Sequence, residues 1–195
     1  MAAIRTHFPL KSEVDQQRCA CELQRLASEP WRGVGTGETG YIQSIAPDMA
    51  RFAAKRKITI RLEKQVGEFA ISGAPLFSIF NGGTLTEKEI KRLRECVVIN
   101  EYRTIDQDPG YGIRQLVDIS LKALSPSIND VSTAINCIDY LGSILHVLVQ
   151  RHEPPQVEFA NDVACIIGRW PSVGELIDIA FCKSARAPTG SPRSF

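Results

Sequence analysis

The spacing of apolar and polar positions changes period along the chain, and each change predicts a different kind of element. Lys57-Ile58-Thr59-Ile60-Arg61-Leu62-Glu63 alternates strictly, which places Ile58, Ile60 and Leu62 on one face of a half-exposed strand. Upstream, Tyr41-Ile42-Gln43-Ser44-Ile45 predicts another strand. Pro47-Asp48 then opens a short helix with Met49, Phe52 and Ala53 on one side. Downstream, residues 66–79 set Gly67 and Gly73 at two turns among short β runs. Together the strands over 38–82 predict a small β barrel. Before them, a helix over 14–26 precedes Pro30-Trp31-Arg32-Gly33-Val34-Gly35-Thr36-Gly37, whose glycines predict a linker rather than a helix or strand.

From Asn81 onward the period becomes three to four. Thr86-Glu87-Lys88-Glu89 is a capping box, and Ile90, Leu93 and Val97 extend the expected helix to about Ile99. A second helix starts where Asp108 caps and Pro109 takes the first turn, with Ile113, Leu116, Val117, Ser120, Leu121 and Leu124 as its expected buried stripe. Arg114, Asp118 and Lys122 make a charge ladder on its other face. A third helix follows Asp130, with Val131, Ile135, Ile138, Gly142, Leu145 and Val149 on one side, and stops before Pro154-Pro155. These three helices predict a bundle. Val163-Ala164-Cys165-Ile166-Ile167 predicts a buried strand, and Ser172-Val173-Gly174-Glu175 a second capping box opening a helix through Phe181. The expected architecture is α+β. A divergent segment and linker (1–37) precede a β-rich subdomain (38–82), a mainly helical subdomain with a minor C-terminal strand and helix (83–182), and a disordered tail (183–195).

Composition narrows the function classes. The chain has 195 residues, 44% of them hydrophobic and 23% charged, and 23 Lys+Arg stand against 22 Asp+Glu, for a net charge of +1. A nucleic-acid module carries a clear basic excess, so none is expected as a partner. No uninterrupted apolar run approaches the roughly 18 to 20 residues of a membrane span, and the first residues lack the apolar core of a secretory signal. On its own the chain is therefore expected in the cytoplasm. Four of the six cysteines sit singly in apolar patterns, as free buried thiols do, and Cys19-Ala20-Cys21 lacks a second pair at a zinc spacing.

The densest polar cluster is Glu101-Tyr102-Arg103-Thr104-Ile105-Asp106-Gln107-Asp108, between the first two of these helices. A ligand site there would use Arg103, Thr104, Asp106, Gln107 and Asp108, with Arg103 suited to a phosphate or carboxylate. A metal-assisted hydrolase would use Glu101, Asp106 and Asp108. The bland alternative is that Asp108 caps its helix and Asp106 pairs with Arg103. A second cluster, Ser125-Pro126-Ser127-Ile128-Asn129-Asp130, adds Asn129 and Asp130 as candidate ligand residues or as caps. The intervening helix holds the two clusters about 24 Å apart at ~1.5 Å per residue, so one chain cannot merge them, whereas a homo-oligomer could do so across an interface. His7, His146 and His152 offer no catalytic triad. Gly110-Tyr111-Gly112 lacks the spacing and lysine of a phosphate loop. No cofactor and no catalytic residue is expected.

Two blocks carry a family resemblance. They are Gly40-Tyr41-Ile42-Gln43-Ser44-Ile45, and a long stretch from Arg103-Thr104-Ile105-Asp106-Gln107-Asp108 through 112–119 to Ala123-Leu124-Ser125-Pro126-Ser127-Ile128-Asn129-Asp130 and Thr133-Ala134. The chain resembles, over about 38–182, a bacterial family of predicted membrane proteins known as domain of unknown function 2254. Its members carry N-terminal membrane helices before this soluble portion, which implies work at the cytoplasmic membrane face. The divergent first 37 residues and the Pro- and Ser-rich end make the chain look like a truncated or rearranged member. Val66 to Leu76 also resembles barrel-sandwich-hybrid domains of the biotinyl/lipoyl type, without the lysine-bearing hairpin tip of a carrier. The implied role is non-enzymatic: assembly, gating or ligand sensing.

Overall fold

The computed structural model describes Ile4, Phe8, Pro9, 16–81, Gly83, 85–160 and 163–181. The expected disordered tail lies outside the described residues. Six helices and eight strands are formed among them: α1 (Gln16–Leu26), β1 (Arg32–Gly35), β2 (Gly40–Ile45), α2 (Asp48–Arg56), β3 (Thr59–Leu62), β4 (Phe69–Ala70), β5 (Pro75–Phe80), α3 (Glu87–Glu95), β6 (Val97–Asn100), α4 (Pro109–Ala123), α5 (Val131–Leu148), β7 (Val157–Ala160), β8 (Val163–Ile167) and α6 (Val173–Phe181).

The fold is α+β, but the expected barrel does not exist. The strands divide between a five-stranded sheet, order β1-β5-β3-β8-β7, and a three-stranded sheet, order β4-β2-β6, and neither closes. Two local facts account for the difference. The alternating strand β3 does pair antiparallel with β5, Ile60 opposite Ile79, but its other edge is taken by β8 in parallel, Ile60 opposite Ile166. The apolar run at 163–167 is thus an interior strand of the main sheet rather than part of a minor terminal unit. Meanwhile β2 pairs with β6, Ile45 opposite Val97, because the β-branched run Val97-Val98-Ile99 leaves the helix after Glu95 and extends. The helix expected to reach Ile99 therefore ends four residues earlier. The supposed linker also contains an edge strand: β1 pairs with β5, Val34 opposite Phe77. An edge position tolerates Gly33 and Gly35, since only one side of the strand must hydrogen-bond.

One apolar core lies between the two sheets and α2 and α3. Phe77 and Ile60 of the large sheet, Ile42 of the small one, and Met49, Ala53, Ile90 and Leu93 of the helices are all buried in it. Both capping boxes form. Thr86 Oγ1 accepts from the Glu89 amide while Glu89 accepts from the Thr86 amide, and Ser172 and Glu175 exchange the same pair of bonds.

The helical half departs from the expected bundle. α4 and α5 form an antiparallel hairpin, and α6 packs at its base, where Leu176 and Ile179 lie against Gly110. α3 instead belongs to the sheet core. Along α5 the buried seam is Ala134, Cys137 and Leu148, with Leu141 and Ile144 half-buried beside them. The side bearing Val131, Ile135 and Ile138 faces outward. On α4, Ile113 and Ser120 of the expected stripe are buried, whereas Leu121 and Leu124 are exposed. By length and composition α5 is also apolar enough to cross a membrane, with 17% of it buried. Its apolar run is not continuous in the sequence, because polar residues such as Asn136 and Asp139 punctuate it.

Candidate functional site

The loop 101–108 leaves β6 and is tied back onto β2 before α4 begins. Gln43 Nε2 donates to the Tyr102 carbonyl at 2.6 Å, and Gln107 Oε1 accepts from the Ile45 amide at 3.1 Å. Within this frame Asp108 is 8% exposed and caps α4, its Oδ1 accepting from the Tyr111 amide at 2.9 Å. Its Oδ2 accepts from Arg103 Nη2 at 2.6 Å and from Nε at 3.2 Å. The Arg103 guanidinium in turn lies 4.7 Å over the Tyr111 ring. Gly67, at φ +87°, runs beneath the pair: a β-carbon there would collide with Asp108 Oδ2 and lie 2.7 Å from Arg103 Nη2. The ion pair is seated on bare backbone.

The candidate residues thus separate by role. Asp108 has both carboxylate oxygens engaged, and Arg103 pairs with Asp108 rather than with Asp106. Gln107 fastens the loop to β2. Thr104 Oγ1 is buried without a hydrogen-bond partner, the one such atom of this loop among the described residues. Glu101 and Asp106 are exposed. Glu101, Asp106 and Asp108 do not assemble as ligands: no group of three His, Cys, Asp or Glu able to hold a metal ion occurs among the described residues.

The second cluster closes the α4–α5 turn. Asn129 adopts a left-handed conformation, φ 48°, and the Asp130 amide donates to the Ala123 carbonyl at 2.8 Å. Asp130 caps α5 by accepting from the Thr133 amide at 3.0 Å and from its hydroxyl at 2.5 Å. The Thr133 hydroxyl bond, then the amide bond, hold the Asp130 carboxyl below its ordinary range. A carboxyl whose pKa is lowered on folding contributes stability above its unfolded value and loses it as the pH falls. Asp130→Ala is therefore expected to lower the urea midpoint at pH 7. The difference from the wild type should shrink once the pH drops below the ordinary aspartate value of about 3.9. Paired denaturation curves at neutral pH and near pH 3 check this, and an undiminished difference at low pH would contradict the cap.

Two further features carried no clear sequence signal. A cleft of about 620 Å³ lies between α1 and the end of α5, lined among others by Cys19, Val149, Arg151, His152 and Glu153. It depends on residues more than a hundred positions apart. The exposed apolar side of α5 was visible only as an excess: the helix has apolar residues for two stripes, and α4, α6, Ile4 and Phe8 pack on one.

These features define an α+β domain with two open sheets and a helical hairpin, whose polar junctions are built from helix caps. The chain belongs to the family described as Predicted membrane protein (DUF2254), whose model matches residues 2–193. The match extends beyond the expected 38–182 and takes in the N-terminal segment that seemed divergent. Uncharacterized proteins of Mycobacterium tuberculosis, strains CDC 1551 / Oshkosh and ATCC 25618 / H37Rv, and of Mycobacterium bovis are each 36% identical over 124 residues. That stretch is 61% of this chain and 24% of each relative, so the chain spans about a quarter of the length of the curated relatives it matches. No solved structure is significantly similar.

Proposed function

We propose that this chain is a non-enzymatic domain of its membrane-protein family, acting by assembly, gating or ligand sensing at the cytoplasmic membrane face. The observation that carries this is the state of Asp108. The most buried acid of the densest polar cluster spends one oxygen on a helix cap and the other on Arg103, which leaves it unfit as a general base or metal ligand. Its neighbours Glu101 and Asp106 are exposed and lack the burial that tunes catalytic carboxylates. The hydrolase alternative needs those three side chains to converge, and their placement gives it no support.

The test is turnover of phosphate-ester, carboxylic-ester and peptide substrates by the purified chain with millimolar Mg²⁺, Mn²⁺ or Zn²⁺, beside calorimetric titration with Mn²⁺. The expected result is no turnover and no Mn²⁺ binding. Hydrolysis that disappears in Asp106→Ala would overturn the proposal.

A further inference from the structure

The hairpin α4–α5 carries an apolar surface that is exposed among the described residues. At about 100° per residue, Val131, Ile135, Ile138, Gly142, Leu145 and Val149 fall within an arc of roughly 80°. That arc is centred about 100° around α5 from the buried seam of Ala134, Cys137 and Leu148. On α4, Val117, Leu121 and Leu124 lie about 90° from the seam in the same rotational sense. In an antiparallel pair, equal rotation from the seam places both sets on the same side of the hairpin. At the base of this side Leu145 is half-buried, whereas Val149 is exposed. Toward the tip, Leu121, Leu124, Ile128, Val131, Ile135 and Ile138 are each 43% to 56% exposed.

Gly142 sits inside this face. A β-carbon added there would meet nothing within 4 Å, so no contact among the described residues calls for glycine. Glycine inside a helix is unfavourable relative to alanine, and it leaves room for close approach by another backbone. We infer that the α4–α5 face is an interface with a second copy of this chain, two hairpins joining as a four-helix bundle about Gly142.

Three properties favour a second copy over a lipid surface. The arc on α5 holds no charge, and the rim of the face carries both signs, with Asp139 on α5 and Arg114 on α4. Helices that lie on anionic lipid are instead rich in Lys and Arg along the polar face. A hairpin side apolar on both helices is complementary to itself under a twofold axis. Finally, six half-exposed aliphatic residues make a patch of several hundred Å², the size that marks an interaction site. Two such patches with their rims approach about 1,000 Å², the lower bound of a specific interface. This interface goes beyond the proposed function and stands whether or not the domain has a ligand.

Sedimentation equilibrium of the full chain from low micromolar to a few hundred micromolar tests it. The wild type is expected as a reversible dimer. Gly142→Leu, which finds free space in the protomer and favours the helix, is expected to weaken association at least about 30-fold, close to 2 kcal/mol, with an unchanged far-ultraviolet spectrum. Ile138→Glu should dissociate the dimer as well. A wild type monomeric throughout, a dimer that both variants leave intact, or aggregation that Ile138→Glu does not relieve would each overturn the interface. So would a monomer that floats with phosphatidylcholine or phosphatidylglycerol vesicles, which would assign the face to lipid. A monomeric chain without hydrolytic activity would sink the interface and leave the proposed function standing.

Discussion

Phe77→Ala is expected to destabilise the protein by about 4 kcal/mol, the upper range for truncating a buried aromatic. Phe77 is 0% exposed and lies in β5 between its partners Val34 on β1 and Leu62 on β3. Its ring faces the core that the two sheets share with α2 and α3, so a cavity there touches every layer of the β half. Well-packed sheets relax little around such a void, and the lost contacts are not recovered. For a chain of this length the melting temperature should fall by about 8 to 16 °C, which calorimetry or urea denaturation would read directly. A change below about 1 kcal/mol would mean that the two sheets do not enclose one core.

Gly67→Ala is expected to cost about 3 kcal/mol, from two separable sources. An alanine at φ +87° loses about 1 to 2 kcal/mol to the left-handed backbone alone. Its β-carbon also displaces Asp108 from Arg103 and from the Tyr111 amide, which removes the cap of α4, worth about 1 kcal/mol. The two parts come apart in a double-mutant cycle. In an Asp108→Ala background, Gly67→Ala should lose only its backbone part, because the ion pair it disturbs is already gone. Full additivity would show that Gly67 does not support the Arg103–Asp108 pair.

The sequence revealed local elements better than their partners. Strict alternation at 57–63 marked β3, and Thr86 and Glu89 marked the start of α3, because each signal is complete within a few residues. Which strands would pair was not legible. β3 takes its partner from residues 163–167, and nothing within either segment names the other. The barrel expectation fails at that step, because the strands of 38–82 do not complete their pairing among themselves. The end of α3 differs from the expectation for another reason: Val97 continues the helical spacing after Leu93, and only pairing with β2 makes the β-branched run from Val97 a strand. At the candidate site, Asp108 was legible as a helix cap and Arg103 as an ion-pairing group, but the expected partner of Arg103 was Asp106, not Asp108. Gly67, 41 positions before Asp108, could not be connected to the site without the fold.

The pairing of β3 with β8 also bears on the order in which the molecule can be made. About a hundred residues separate Ile60 from Ile166, and the whole α4–α5 hairpin lies in that interval. A chain emerging from the ribosome completes β1, β5 and β3 first and then waits, with one edge of β3 unpaired, until the final strands arrive. The apolar hairpin is complete only at Leu148, so it joins the open sheet edge late in that interval. The open edge of β3 is thus the long-lived hazard of synthesis, and its overlap with the exposed hairpin face is confined to the short stretch before β8 arrives.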